Sequence, residues 1–159
     1  MVTTILNTTI LSNFAHCRQP DLLQLALGED VATTSAVLAE LRSGEALGLV
    51  PRCDWRWLRV VALTEEEQSS AGEHAVSLDA GESACLAVAR NRGWTFLTDD
   101  FAARRLAQRE GVAFSGTLGV LQKLVAQEHL TIEEADRVLA VMISQGYRAP
   151  IRSLRELLA

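Results

Sequence analysis

Several acidic side chains lie where the sequence pattern places one end of a strand or of a helix. They are Glu40 in a helical run, Glu82 at the opening of a second helix, and Asp99 and Asp100 directly after an apolar run. Another apolar run, near the start of the chain, ends in the amide Asn7. Carboxylate oxygens suit Mg²⁺ or Mn²⁺, and no His or Cys belongs to the pattern. The set therefore predicts metal-assisted phosphodiester hydrolysis, in which the cation activates water and stabilises charge on the phosphate.

Short apolar runs alternate with longer helical patterns, which predicts one α/β domain over residues 1–159. Its sheet is expected to be mostly parallel, with about five strands and with helices on both faces. The strands are predicted near Thr3–Asn7, Val31–Thr33, Leu58–Leu63, Thr95–Thr98 and Val112–Phe114. Ligands of parallel sheets bind at the carboxyl ends of the strands. Asn7 and the Asp99–Asp100 pair should therefore share one edge, which Glu40 and Glu82 reach from the flanks.

Helix boundaries follow from capping residues. Ser35 is predicted to cap a helix over Ala36–Arg42. Thr64 opens a capping box with acidic residues in its first turn, and Asp79 stands beside Glu82 at another helix start. Gly93 is predicted to end that helix in the left-handed conformation.

Composition narrows the class of protein. The chain has 159 residues, 48% hydrophobic and 22% charged, with a net charge of −5, which argues against passive coating of nucleic acid through basic side chains. The three cysteines form no paired motif and are expected to be reduced. No apolar run approaches the roughly 20 residues of a membrane span, so a cytoplasmic protein is expected.

Taken in order, the motifs resemble those of the PIN-domain ribonucleases, the family that includes the VapC-type toxins of bacterial toxin–antitoxin pairs. The resemblance covers most of the chain and rests on segments Ile5–Leu11, Thr33–Leu41, Leu78–Ala84, and Leu97–Asp100 followed by Arg104–Ala107. Segment Gly116–Leu121 is similar to a feature of a less characterised PIN-like branch.

The resemblance implies a metal-dependent endoribonuclease that acts as the toxin of such a pair. It also implies a small antitoxin as partner and assembly as a homodimer. It implies Mg²⁺ or Mn²⁺ ligands at Asn7, Glu40, Glu82 and Asp99, with Asp100 as an alternative or additional ligand. The family usually has aspartate at the position of Asn7. A neutral amide oxygen can still bind Mg²⁺ but removes one negative charge, so weaker metal affinity and reduced turnover are expected.

Each candidate also has a structural interpretation. Glu40 could pair with Arg42 or face water, Glu82 could serve the dipole of its own helix, and the Asp99–Asp100 pair could cap the next helix. Ser115 and Thr117 could orient a ligand, bind phosphate or act as helix caps. Candidate RNA contacts are Arg104, Arg105, Arg109, Arg148, Arg152 and Arg155, and Trp55 and Trp57 could stack bases or pack in the core.

Two other functions compete with the nuclease. A PIN-like module without catalysis would bind RNA or protein, and Asn7 would mark its lapsed chemistry. A receiver-type phosphoacceptor shares the sheet architecture but fits poorly. Its acidic pair should follow the first strand and its lysine the last, whereas here the pair comes late and Lys123 lies inside a helical run.

Overall fold

The apolar runs form one parallel sheet in the computed structural model, which describes residues 3–158. Its strands are β1 (Thr4–Leu6), β2 (Val31–Thr34), β3 (Arg59–Val61), β4 (Thr95–Leu97) and β5 (Phe114–Ser115). All pairings are parallel, in the order β3-β2-β1-β4-β5. The predicted five-stranded α/β fold is confirmed. Met1, Val2 and Ala159, the ends of the predicted domain, lie outside the described residues.

The strand order reverses between the central strand β1 and its neighbour β4. From β1 the chain adds β2 and β3 on one side, and it later adds β4 and β5 on the other. Such a reversal opens a crevice at the carboxyl ends of the two strands concerned, where open α/β sheets bind their ligands. Asn7 directly follows β1, and Asp99 and Asp100 follow β4 after one intervening residue.

Helices fill the connections and cover the sheet. They are α1 (Thr8–His16), α2 (Asp21–Leu27), α3 (Ser35–Ala46), α4 (Glu65–His74), α5 (Ala80–Arg92), α6 (Phe101–Arg109), α7 (Thr117–Ala126), α8 (Ile132–Ser144) and α9 (Arg155–Leu158). The core between helices and sheet includes the fully buried Phe14, Phe96 and Leu86.

Helix α5 is buried along most of its length. Every residue from Gly81 to Ala89 is buried, since the helix packs against β1, β2, β4 and the helices α3 and α4. Small residues such as Ala84 and Ala87 allow this close approach, and a helix enclosed in this way is apolar on all sides. Glu82 is the charged residue of this buried stretch, and it places a carboxyl group in the first turn of the helix.

Strands β1 to β4 differ from the sequence prediction by one or two residues at an end, and the larger differences are at β5 and α3. Strand β5 is Phe114–Ser115, not Val112–Phe114, because the N–H of Val112 bonds to Ala107 O at the end of α6 and not to the sheet. Thr34, not Ser35, caps α3, since its hydroxyl accepts the N–H of Val37 at 3.3 Å. That helix also continues to Ala46, well beyond the predicted Arg42.

The other predicted caps are confirmed. Thr64 and Glu67 form a reciprocal capping box at α4, and Asp79 and Glu82 form one at α5. Gly93 ends α5 with φ 69°, a left-handed conformation that glycine adopts without steric cost.

Candidate active site

Asn7 joins β1 to α1 at the carboxyl edge of the sheet. Its side chain is 1% exposed. The Oδ1 atom accepts the N–H of Thr8 at 2.7 Å, and Nδ2 donates to Thr98 Oγ1 at 3.0 Å. The same hydroxyl of Thr98 accepts the N–H of Asp100 at 3.1 Å. Asn7 is therefore held between the ends of β1 and β4.

Glu40 points from α3 to the start of α5. Its Oε1 accepts the N–H of Gly81 at 2.8 Å, and its Oε2 accepts the hydroxyl of Thr8 at 2.7 Å. A Cβ atom on residue 81 would lie 2.7 Å and 2.9 Å from the two carboxylate oxygens, so only glycine permits this approach. The alternative pairing with Arg42 is not formed, and Glu40 lies next to the helix turn that carries Glu82.

Glu82 lies in the first turn of α5, near Asp79 and Asp100. Its Oε1 accepts the N–H of Asp79 at 3.1 Å, so the helix-capping role is real. Burial raises the pKa of Glu82 to about 8, and the neighbouring carboxyl groups of Asp100 and Asp79 add to the rise. Removal from water and adjacent like charges both disfavour a carboxylate, and a bound cation would offset both.

Asp100 follows β4 and caps α6. Its Oδ2 accepts the N–H of Ala103 at 2.8 Å. The capping alternative is thus realised as well, yet the same carboxyl group lies close enough to Glu82 to shift its pKa. Asp100 also lines a cleft of about 270 Å³.

Asp99 faces a different way from Asp100. Its Oδ1 accepts the N–H of Thr117 at 2.9 Å, and its Oδ2 accepts the hydroxyl of Thr117 and the amide of Asn13, the latter at 2.9 Å. Burial raises the pKa of Asp99, while the bonds from Thr117 and the nearby Arg104 oppose the rise. Asp99 thereby ties the start of α7 to α1 and β4.

The start of α7 explains why glycine precedes Thr117. Gly116 occupies the N-cap position without a side-chain bond, and a Cβ there would lie 2.5 Å from Asp99 Oδ1. Neither Ser115 nor Thr117 is the N-cap. Ser115 belongs to β5, and Thr117 holds Asp99.

The predicted RNA-contact residues separate into groups. Arg104 and Arg148 line a second cleft, of about 330 Å³, next to Asp99. Arg155 pairs with Glu133 at 2.6 Å, and the remaining three arginines, Arg105, Arg109 and Arg152, are exposed. Trp55 is 6% exposed and packs in the core, with Trp57 partly buried against it, so core packing and not base stacking describes Trp55.

The sequence analysis assigned no role to several residues around the site. Thr8, Asn13, Gly81 and Thr98 orient the predicted ligands through the bonds described above. One signal was available for Asn13, which interrupts the apolar run of α1 and is buried at 9% exposure. A buried polar side chain requires a hydrogen-bonding partner, and Asp99 provides one.

The donor set fits a hard divalent cation by its chemistry. Mg²⁺ is usually held by one or two carboxylates, with water and substrate phosphate completing its shell. Glu82 and Asp100 form such a carboxylate pair, and Asn7 and Glu40 flank it with oxygens already engaged in hydrogen bonds. Across residues 3–158, no group of three or more His, Cys, Asp and Glu side chains is ready to hold an ion.

Together, the fold and this site define an α/β domain with acidic residues at the switch point of a parallel sheet. A family model described as "PIN domain" matches residues 3–159, and the chain belongs to this family. PIN domains are generally metal-dependent nucleases and typically use divalent metals.

Comparison with solved structures agrees on the fold. The chain is similar to PAE2754 from Pyrobaculum aerophilum, with a TM-score of 0.54 and 19% identity, covering 79% of this chain and 98% of that one. No curated protein matches the sequence. Within the part of the chain that the structure describes, no helix is both long and apolar enough to cross a membrane.

Proposed function

We propose that this protein is a metal-dependent endoribonuclease that hydrolyses phosphodiester bonds of RNA at the Glu82–Asp100 pair. The observation that carries the proposal is the placement of Glu82, a buried carboxyl group, beside Asp100 at the carboxyl edge of the sheet, where burial raises its pKa. Burying a carboxyl group beside other acids is unfavourable for folding alone and is typical of functional sites.

Four residues are proposed to hold Mg²⁺ or Mn²⁺. Glu82 and Asp100 would bind it directly, and Asn7 and Glu40 would bind through water, since their oxygens already accept hydrogen bonds. The bound cation supplies an activated water and charge stabilisation at the phosphate. The protein's part is to fix these oxygens: Thr98 orients Asn7, and Thr8 with the N–H of Gly81 orients Glu40.

Asp99 takes a positioning role in this proposal. Its two oxygens are bonded to Thr117 and Asn13 and hold α7 against the site. The ligand role that the family resemblance implies for Asp99 stays a prediction, as do the roles of the other candidates.

The activity is tested by incubating total bacterial RNA with the purified protein and Mn²⁺. An EDTA blank and the Glu82→Gln variant are the controls. Cleavage that requires both the metal and Glu82 is the expected result. Cleavage that persists in EDTA or in the variant would contradict the proposal.

A non-catalytic RNA- or protein-binding module is the second candidate, and Asn7 favours it. The amide is buried with both polar ends bonded, where a carboxylate would add charge to the metal site. Thr98 could donate its hydroxyl to an aspartate, so Asn7→Asp should be accommodated. Cleavage by Asn7→Asp with none by the natural chain would establish the second candidate, whereas cleavage by both establishes the nuclease.

We also propose that the nuclease acts as the toxin of a toxin–antitoxin pair, and this part rests on the family resemblance. The expected partner is a small protein that covers the acidic edge. Co-expression with the product of a neighbouring small reading frame, followed by co-purification and loss of RNA cleavage, tests this pairing. A neighbour that neither binds nor inhibits would contradict it.

A further inference from the structure

A cavity of about 290 Å³ lies between one face of the sheet and α7, and the proposed reaction does not use it. In the parallel register Thr4 pairs with Thr95, and Leu97 pairs with Ser115. Successive side chains of a strand point to opposite faces of a sheet, so these four residues lie on the same face. Thr4 and Thr95 are the first residues of their strands, at the end opposite the acidic residues.

Small residues keep this space open. The wall formed by α7 consists of Gly119, Val120 and Lys123, a spacing that places them on one side of the helix. Gly119 has no side chain, and the Oγ atom of Ser115 occupies the position that a Cβ on residue 119 would need. A larger residue at position 119 would collide with Ser115, so glycine lets α7 pass close to the end of β5.

The cavity has a positive wall in an acidic protein. Lys123 lines it, and among residues 3–158 no acidic side chain does. The chain has a net charge of −5, and Lys123 is its only lysine. Within the same described residues, Lys123 forms no ion pair with a carboxylate. A cleft that carries charge of one sign attracts a ligand of the opposite sign, so this cavity favours an anion with a single charge.

Three hydroxyl groups add hydrogen-bonding capacity to the sheet side of the cavity. They belong to Thr4, Thr95 and Ser115, which are all partly exposed. None of the three hydroxyl groups forms a hydrogen bond with a protein atom of residues 3–158. Each can therefore donate to an oxygen of a ligand.

The remaining wall is apolar and limits the size of the ligand. Leu27 of α2, Leu97 and Val120 form this part. Small-molecule sites combine such an apolar lining with a few polar groups that orient the ligand. A water molecule occupies about 30 Å³ in the liquid, so the cavity has room for roughly ten non-hydrogen atoms.

We propose that this cavity binds a small monocarboxylate with a hydrocarbon chain of about six to eight carbons. Lys123 binds the carboxylate, which also accepts hydrogen bonds from the hydroxyl groups, and the apolar wall contacts the chain. None of the proposed metal ligands lines the cavity, so the site is independent of the proposed nuclease function.

The first test observes Lys123 directly while octanoate is added. Reductive methylation with ¹³C-formaldehyde keeps the positive charge and labels only Lys123 and the terminal amine, because the chain has one lysine. Octanoate should shift the NMR signal of Lys123 along a saturable curve, with a dissociation constant in about the millimolar range. The signal of the terminal amine should stay in place. A Lys123 signal that does not shift, or that shifts without saturation, would overturn the proposal.

Two related compounds test which features of octanoate are recognised. Octylammonium has the same chain with the opposite charge, and acetate has the same carboxylate without the chain. Each should bind at least about tenfold more weakly than octanoate, since the first loses the charged hydrogen bond and the second loses the apolar contact. Binding of either compound as tight as that of octanoate would overturn the proposal.

The role of Lys123 is tested by comparing Lys123→Met with Arg42→Met. Both substitutions remove one positive charge from an exposed position on a helix, and Arg42 lies outside the cavity. Saturation-transfer NMR on octanoate measures the dissociation constants. The constant should rise about tenfold in Lys123→Met and change by less than about twofold in Arg42→Met. Equal constants for the two variants would overturn the proposal.

Thr95→Ile tests whether the ligand occupies the cavity. Isoleucine keeps the branched shape that suits a strand, removes one hydroxyl group and extends further into the space. Octanoate should bind about fivefold more weakly or worse, while urea unfolding should show no loss of stability. Unchanged binding by a folded Thr95→Ile variant would overturn the proposal. None of these measurements involves RNA or a metal ion, so their outcome does not depend on the nuclease.

Discussion

Asp99 and Asp100 are adjacent in sequence, yet their carboxyl groups have different environments. Asp99 is surrounded by donors from Thr117 and Asn13, which bond both of its oxygens. Asp100 accepts one helix N–H through a single oxygen and faces a second acid, Glu82. Asp99 has protein donors on both of its oxygens, whereas Asp100 and Glu82 form no ion pair with a basic side chain among residues 3–158.

This difference distinguishes a carboxylate that supports the fold from carboxyl groups that could take part in the reaction. Donors that satisfy a buried carboxylate stabilise the fold and leave little capacity for a ligand. A buried carboxyl group beside other acids, such as Glu82, has a raised pKa, and a bound cation would stabilise its charged form. We therefore propose the Glu82–Asp100 pair as the place of the metal and the attachment of α7 as the role of Asp99.

The largest expected effect is on catalysis at the acidic pair. Glu82→Gln should lower RNA cleavage by roughly 100-fold or more, because metal stabilisation of the reacting phosphate contributes several kcal/mol. The amide keeps the size of the side chain and removes the unfavourable charge, so the metal-free free energy of unfolding should not fall. Initial cleavage rates in Mn²⁺ and urea unfolding in EDTA measure the two quantities. If Glu82→Gln were less stable than the natural protein, Glu82 would have a structural role.

The next largest effect is the pH dependence of metal-free stability. The pKa of Glu82 rises from an ordinary 4.5 to about 8 on folding, so the folded state binds the proton more tightly. The contribution of Glu82 to the free energy of unfolding is then fully present below about pH 4.5. It is lost as the pH rises through about 8, and the total loss is roughly a few kcal/mol.

Urea unfolding in EDTA across this pH range, with Glu82→Gln as the matched control, measures that loss. The Gln variant should lose less stability than the natural protein over the same range. Parallel curves for the two proteins would show that Glu82 titrates normally and would remove the main support for the acidic site.

A smaller effect on stability is expected at the supporting carboxylate. Asp99→Asn keeps one oxygen that can accept the N–H of Thr117 but turns an NH2 group towards the amide of Asn13, and the unpaired donors should cost about 1–3 kcal/mol of folding free energy. Asp100→Asn is the matched control, because asparagine caps a helix as well as aspartate does. If the two variants were equally stable in urea unfolding, the proposed difference between the roles of Asp99 and Asp100 would be contradicted.

The smallest expected effect is at Gly81. A methyl group at Gly81 would displace the Glu40 carboxylate, so Gly81→Ala should lower Mn²⁺ affinity and cleavage by about tenfold. Gly72→Ala is the control, since a Cβ on that residue of α4 has no neighbour within 4 Å. It should stabilise the protein by roughly 0.5–1 kcal/mol through helix propensity and leave cleavage unchanged. Equal cleavage by the two alanine variants would show that the position of Glu40 is unimportant.

The fold was predictable because its signals are local. The apolar runs of β1 and β4 and the capping residues Thr64 and Asp79 mark their elements through patterns a few residues long. The start of β5 was missed because Val112 is as apolar as a strand residue but packs in a turn. An apolar residue at this position is expected in a buried turn as well as in a strand, so the sequence does not distinguish the two.

The site was only partly predictable, because adjacent residues can turn in opposite directions. The positions of Asp99 and Asp100 at the sheet edge follow from the strand pattern. Their partners, Thr117 and Glu82, depend on how α7 and α5 pack on the sheet. Likewise, Gly81 gives no sequence signal for the approach of Glu40 from another helix.

The most direct test of the central claim is Mn²⁺ binding by titration calorimetry at pH 7.5, without RNA, to the natural protein, Asp100→Asn and Asp99→Asn. Our account predicts that Asp100→Asn abolishes binding, while folded Asp99→Asn retains it within a few fold. Retained binding in Asp100→Asn and lost binding in folded Asp99→Asn would place the metal at Asp99 and contradict the account.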